Sequence, residues 1–568
     1  MKKSLFLLCL LGSAFSVYSQ APKYEWAKNI GGSLTTVGSS VAVDILGNVY
    51  TAGTFDGTSD FDPSNLTTAN LSSNGKEDIF LTKFNSKGEY IWAKSIGGSG
   101  SDIAYQLKLD GAGNPYLTGS FEGTVDFDPN AATKNLTSEG MGDIFVVKFD
   151  VSGNMLWAKN FGGPNDDKGI SLDIKGPDLL ITGYFTDTVN FNSSITTAKH
   201  TSKGVSDIFI TKMDLSGNYI WSKSVGSVSD EEGKSVSIDK SGNVLVTGFF
   251  NGSVDFNPGP ADYYRAADAA RDAYILKLNK DGDFTWVKIL GGKGFDGAQT
   301  ILTDAINNTY TLGYFTNYVD FDPSPGDAFL NPGTSSALFV QKMDSNGNYK
   351  WAKSFNASVT GYSQSGALDH LGNFYMIGYF NSAIDFGTGS GVTNLSSSGF
   401  EDAFIVKIYP SGKYASANKI GGSKYDNGYS LQMGSSGDMY ATGSFSGTAD
   451  FDAGTAIANV SASPSGISDA FTVKWSNFPS GIEEQKSVVS NLFRIYPNPN
   501  QGAFSISLLE NTSKASISIK NTLGQTIYQS DKAEVQNTIH LSSIAPGMYF
   551  VSLYEDSQIV STAVMMIQ

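Results

Sequence analysis

The chain has 568 residues, with 63 glycines, 12% aromatic residues, one cysteine and a formal net charge of −16. That length is too great for a single compact core, and so acidic a surface repels nucleic acid and anionic membranes. A lone cysteine forms no internal disulfide.

At the amino end, Lys2 and Lys3 precede the apolar run Leu5 to Leu11, and Val17-Tyr18-Ser19 places small residues at the −3 and −1 positions of a cleavage site before Gln20. Residues 1–19 read as a secretory signal peptide, too short to anchor the chain in a membrane. Cys9 lies inside it and follows Leu8, where a lipoprotein signal wants a small residue. The mature chain is therefore expected to be soluble, without a thiol, and two units more negative than the precursor.

From Trp26 to Trp475 one unit of about 65 residues recurs seven times. Trp26, Trp92, Trp157, Trp221, Trp286 and Trp351 hold the register, each two residues before a lysine, and Ala417 takes the tryptophan's place in a seventh copy. In the second unit, Gln106–Asp110 leads through Gly113-Asn114 into Pro115–Phe121, and Asp143–Phe149 leads through Gly153-Asn154 into Met155–Lys159. Period-two alternation around Asp-x-x-Gly-Asn predicts two antiparallel hairpins per unit. The third unit departs, with Pro177-Asp178 at its first turn. The last copy reaches its third strand at Asp469–Lys474 and has no fourth, whereas Tyr24–Lys28 begins the array without a partner. Pairing these segments removes two free edges. The expected fold is all-β: a seven-bladed β-propeller, four strands per blade, its ring closed by the N-terminal strand, over residues 20–478. An open row of β-sandwich modules, one per repeat, is the alternative.

The motifs W-A-K-x-[IF]-G-G, G-N-x-Y-x-T-G-x-F and D-x-F-x-x-K over residues 24–475 resemble the SBBP β-propeller repeat of secreted bacterial proteins. The resemblance implies a fold and says little of function, because propellers serve as enzymes, lectins and scaffolds.

Residues 479–490 read as an exposed linker, with Pro479, Gly481 and the charged run Glu483 to Lys486. Residues 491–568 alternate as a β-sandwich. Tyr496-Pro497-Asn498-Pro499, Asn521–Gln525 and Leu541–Tyr549, which includes Gly547 and Tyr549, resemble the type A C-terminal sorting domain of the type IX (Por) secretion system. That resemblance implies export by the type IX machinery as a partner, followed by release or attachment to surface lipopolysaccharide.

His200, His370 and His540 fall in different units and propose no zinc site or triad. Asp60-Phe61-Asp62-Pro63 and its copies suggest a Ca²⁺ site, or a buried Phe whose flanking acids cap the next turn; the substitutions Asn257, Asn192 and Gly387 weigh for the cap. Asp78, Asp143, Asp207, Asp272, Asp402 and Asp469 recur in nearly every unit, as expected of residues that maintain the fold. No catalytic residue, metal or cofactor is assigned. One loop breaks the repetition: Tyr263, Tyr264, Arg265 and Arg271 supply aromatic and cationic groups in a chain with three arginines, a combination suited to sugars, carboxylates or sulfates. The alternative is a drifted loop whose arginines pair with Asp262, Asp268 or Asp272.

The functional expectation is a secreted or outer-membrane surface-attached binding or scaffold module, for adhesion or a glycan or protein ligand. It has no membrane span and is expected to be a monomer. A polysaccharide lyase or hydrolase on the same fold, or a structural surface-layer component, is the alternative.

Overall fold

The computed structural model of the protein describes residues 22–64, 66–192, 198–324, 326–332, 336–357, 361–387, 394–454, 456–464, 466–476, 493–508, 515–521, 525–541, 544–555 and 558–567. The expected signal peptide and linker lie outside them. The chain divides into two compact units, Met1–Ser480 and Gly481–Gln568. No α-helix is present among the described residues.

The first repeat shows how sequence becomes sheet. Strands Thr36–Val43, Val49–Phe55, Asp78–Phe84 and Tyr90–Ile96 pair antiparallel in chain order. Between the first two, the Asp44 carboxylate accepts the backbone N–H groups of Leu46 and Asn48, each at 2.9 Å, and the Asn48 side-chain amide at 2.8 Å. Gly47 meets the turn's positive φ of 80°. Asp110, Asp239, Asp304 and Asp369 repeat this turn. The third repeat instead turns tightly between Lys175 and Asp178, through Gly176 at φ 61°.

Six further four-strand groups follow, opening at Ile103, Lys168, Glu232, Gly297, Gly361 and Asp426. The last gains its fourth strand from the other end of the array. Lys23–Gly32 pairs antiparallel with Asp469–Ser476, from Lys23 opposite Ser476 to Ile30 opposite Ala470. The innermost strands are also tied to one another. Gln106 Oε1 accepts the Leu172 N–H at 2.7 Å, Ser171 Oγ that of Val236 at 3.1 Å, and Ser235 Oγ that of Ile301 at 3.2 Å. Ser430 Oγ in the last unit accepts the N–H of Val41 in the first, at 3.3 Å.

Outer strands grip the neighbouring unit through the tryptophans. The indole N–H groups of Trp157, Trp221 and Trp351 donate to the carbonyls of Leu215, Lys280 and Pro410, in the second hairpin turn of the next unit. The third-strand lysines Lys83, Lys148, Lys212, Lys277 and Lys342 do the same, as Lys148 does to Leu215 at 3.2 Å and Lys277 to Ser345 at 3.0 Å. The turn glycine lies against the ring. A Cβ on Gly412, at φ 84°, would stand 2.6 Å from the Trp351 indole. Ala417 on the sixth unit faces the one junction without such a turn, because the seventh unit's last hairpin is made of two separate chain segments.

The Phe of each Asp-Phe-Asp copy, from Phe61 to Phe451, is buried, worth about 1.5–3 kcal/mol per ring. Phe61 packs on Phe55 and Phe80 at centroid distances of 5.2 Å. Asp60 accepts the N–H groups of Asp62 and Ala69, so the acids cap the turn.

The second unit holds two sheets around one core. Strands Phe493–Tyr496, Ala503–Leu508 and Gln536–His540 form one, and Thr526–Ser530, Ala515–Asn521, Gly547–Glu555 and Gln558–Ile567 the other. Phe504, Ile506, Ile517, Ile519, Val551 and Leu553 point inward, as their alternation dictates.

Candidate functional site

The inner strands of all seven units line a central cavity of about 530 Å³. One lining position repeats as small hydroxyls, as in Ser40, Ser171, Ser235, Ser365 and Ser430, which serve the ties between units. The residue before each of these does not repeat. There the cavity meets Ser39, Tyr105, Ile170, Lys234, Gln299, Gln364 and Tyr429.

The asymmetry grows toward the end of the cavity where the inner strands begin. On the neighbouring strands one column reads Thr54, Ser120, Tyr184, Phe249, Tyr314, Tyr379 and Ser444. The Tyr184 hydroxyl donates to Asp166 at 2.8 Å, and Asp166 pairs with Lys168 at 3.1 Å. Lys234 pairs with Glu232 and lies 5.6 Å from the Phe249 ring centroid. Tyr379 packs against Tyr362 at 5.1 Å and Tyr429 at 6.1 Å. Burial works to lower the Lys168 ammonium, but Tyr105, Asp166 and Glu232 outweigh it and hold the group above its ordinary value. Burial, with Asp166 beside it, pushes the Tyr184 phenol well up. This mouth therefore presents protonated tyrosines and paired charges at neutral pH, a surface for hydrogen bonding and ring stacking.

The fourth-unit segment expected to be a loop is a strand. Tyr264–Leu278 is one strand whose pairing is interrupted by a bulge, with Tyr264 opposite Asp255, Arg265 opposite Val254 and Arg271 opposite Asn251. The cause is local: Asp255 accepts the Tyr263 N–H at 2.8 Å, the same cap as in other units. The excess residues, 267–270, are absorbed in a bulge. Tyr263 and Arg265 come together, the guanidinium lying 4.1 Å from the Tyr263 ring centroid and donating to its hydroxyl and to the Tyr264 carbonyl. Tyr263 packs in turn on Phe284 at 4.7 Å. Tyr264 is 58% exposed. Arg271 stands apart from them, at the cavity mouth, where it donates to the Tyr314 hydroxyl at 2.6 Å and lies 4.0 Å from the Phe249 ring centroid. Neither arginine pairs with Asp262, Asp268 or Asp272 among the described residues.

Two series of carboxylates are buried between units. Asp78, Asp143, Asp207 and Asp272 each accept the N–H of the residue four before them and press on a glycine of the Gly-Gly pair; Asp78 lies where a Gly97 Cβ would stand. Burial pushes them up to about 6. The second series was not singled out in the sequence. Asp102 rises to about 6, and Asp167, Glu231, Asp296 and Asp426 to about 7, chiefly through burial and then the first series beside them. Gly-Gly-x-x-x-Asp was the signal for four of them, since the second glycine's N–H is bound, as Gly98 is by Asp102 at 2.7 Å; in the third unit Ser227 and Glu231 take these places. His200 is half-buried between Ser222 and Ser224, and that burial lowers its imidazole.

In the second unit, Tyr496, Pro497, Asn498 and Pro499 are exposed between buried Phe493 and Asn500. Asn498 Oδ1 accepts the Met566 N–H at 2.8 Å, and the Asn500 N–H donates to the Met566 carbonyl at 3.0 Å. Gly547 lies opposite Ile567 and Tyr549 opposite Met565. The described residues Asn498, Gly547 and Tyr549 thus meet the last strand, and Asn521 lies opposite Tyr549; 522–524 and 542–543 of the motif segments lie outside the described residues.

Residues 494–568 match the family described as secretion system C-terminal sorting domain, and residues 25–61 match the beta-propeller repeat family SBBP. An uncharacterized WD repeat-containing protein of Acanthamoeba polyphaga mimivirus is 24% identical over 431 residues, 63% of this chain and 31% of the relative. Regulatory protein FlaEY of Caulobacter vibrioides is 24% identical over 163 residues, 28% of this chain and 16% of the relative. The chain thus spans less than a third of the length of these curated relatives. Among solved structures, PorZ, an essential surface component of the type-IX secretion system of Porphyromonas gingivalis, aligns over 95% of this chain and 100% of its own at 12% identity; its TM-score of 0.17 carries no argument. On its repeat and its terminal domain, the chain is a β-propeller-repeat protein carrying a C-terminal sorting domain, exported by the type IX secretion system to the cell surface or the extracellular space.

Proposed function

We propose that the exported array, residues 20–478, is a closed seven-bladed propeller that works as a binding module for an extracellular glycan, docking at the cavity mouth. A signal peptide at 1–19, a linker at 479–490 and the sorting domain at 491–568 complete the organisation. The pairing of Lys23–Gly32 with Asp469–Ser476 and the Ser430–Val41 bond support closure.

One observation carries the binding role. The repeat keeps its structural residues nearly constant, yet at the mouth Tyr105, Tyr184, Tyr314, Tyr379 and Tyr429 stand in two columns where other units place serine, threonine, isoleucine, glutamine, lysine or phenylalanine. Flat apolar faces with hydroxyl rims, carried on rigid strands, suit sugar rings. Of the four residues singled out in the sequence, Arg271 belongs to this surface, whereas Tyr263 and Arg265 bond to each other.

The test is a glycan array probed with the full-length protein, followed by titration of Tyr184→Ala/Tyr379→Ala. A loss of about tenfold or more, ~1.4 kcal/mol, with the fold retained, is expected. Unchanged affinity for every glycan bound would refute the mouth as the site.

A further inference from the structure

The mouth holds three cations in different states. Lys168 and Lys234 are each neutralised by a carboxylate, Asp166 and Glu232. Arg271 is in no such pair among the described residues. Its guanidinium lies 4.0 Å from the Phe249 ring centroid and 5.9 Å from that of Phe295, and its bond to the Tyr314 hydroxyl at 2.6 Å fixes the plane. The corresponding residues of the other units are Glu77, Gly142, Ser206, Ser336, Glu401 and Ser468, so no other unit places a cation here.

The surroundings hold this arginine in place without neutralising it. Asp296 is the carboxyl whose charge it feels, but Asp296 is buried, committed to the N–H groups of Gly292 and Thr316, and pushed up to about 7 by burial. Gly297 makes room for the Tyr314 hydroxyl: a Cβ there would stand 2.8 Å from the oxygen. A guanidinium stacked on aromatic rings and fixed by a phenol is preorganised to take a planar anion end-on, with little side-chain entropy left to lose.

We propose that Arg271 is the anion subsite of the mouth and that the glycan it serves is acidic, carrying uronate carboxylates. This rests on the glycan-binding reading above and adds the charge of the ligand. A net charge of −16 disfavours an anionic polymer on the surface as a whole, so selectivity for the carboxylate at the mouth rests on this side chain.

The probes are an oligogalacturonate, its methyl ester, which keeps the sugar and removes the charge, and a chondroitin sulfate oligomer, titrated into the full-length protein. Wild type is expected to bind the acid at least tenfold more tightly than the ester. Arg271→Gln removes that preference, whereas Arg265→Ala leaves it. Should Arg271→Gln not fold, Arg271→Lys, which keeps the charge and loses the planar fork, is expected to reduce the preference severalfold. Equal binding of acid and ester by wild type overturns the acidic ligand while leaving the glycan reading standing. Preference for the sulfated oligomer over the uronate, a preference that survives Arg271→Gln, or no binding of any probe also overturns it.

Discussion

The Trp26 indole N–H donates to the carbonyl of Ser86, 3.3 Å away, and its ring lies under Gly88, where a Cβ would stand 2.7 Å from it. The packing of ring on turn glycine recurs at Gly153, Gly217, Gly282, Gly347 and Gly412, so the tryptophan that sets the period is a fastener between units rather than part of a ligand site.

Removing one fastener should therefore weaken the whole array. Trp351→Ala, at a buried ring bonded to Pro410 at 2.9 Å, is expected to cost about 3–5 kcal/mol, read from urea unfolding. Ala417→Trp is expected to give no gain. An increase in stability from that change would mean a turn does receive the ring.

Deleting residues 23–32 should uncover the backbone edge of Asp469–Ser476, a strand buried along most of its length. Unpaired edges of this kind recruit other chains. Aggregation in size-exclusion chromatography and a lowered melting temperature are expected; a deletion that melts like the full-length chain would contradict the pairing.

The carboxylates between units set a pH dependence. Folded, Asp78, Asp102, Asp143, Asp207 and Asp272 titrate near 6, and Asp167, Asp296 and Asp426 near 7, against 3.8 ordinarily. Between about pH 4 and 7 the folded chain holds more protons than the unfolded one, so stability falls as pH rises through that window. The turn carboxylates act oppositely. Asp344 is lowered to about 2, and Asp110, Asp150, Asp214 and Asp239 are lowered as well; burial alone would raise them, and the turn hydrogen bonds prevail. Their contribution is lost below about pH 4. Melting temperature should be higher at pH 4.5 than at 7.5, and Asp167→Asn should shrink the difference. A melting temperature that rises from 4.5 to 7.5 would contradict this assignment.

Asn498→Ala removes the acceptor that holds the Met566 N–H, and is expected to reduce export while the repeat array melts unchanged. Removing residues 491–568 should leave the array in the periplasm. Cell fractionation decides both, and normal levels of either variant in the medium would count against the sorting role.

The hairpins were legible because Asp-x-x-Gly-Asn needs its aspartate and its positive-φ glycine in fixed places. The strand at Tyr264–Leu278 was not, because alanines and a bulge hide its alternation, although the Asp255 cap that starts it is the one visible at Asp60. The mouth tyrosines were hidden differently. Tyr184, Tyr314 and Tyr379 fit ordinary strand alternation, and only setting the seven units column by column separates them from Thr54, Ser120 and Ser444. Arg271 was legible as unusual, but its separation from Arg265 follows from residues 267–270 bulging out of the ladder, which spacing alone does not reveal.

Lys23 opposite Ser476 joins Lys23–Gly32, at the start of the repeat array, to Asp469–Ser476, at its end, in one sheet. A nascent chain thus carries an unmatched amino-terminal strand until synthesis has passed the seventh repeat. A chain stopped anywhere before Asp469 has no partner for that strand, and a free edge of this kind is a template for pairing with other chains.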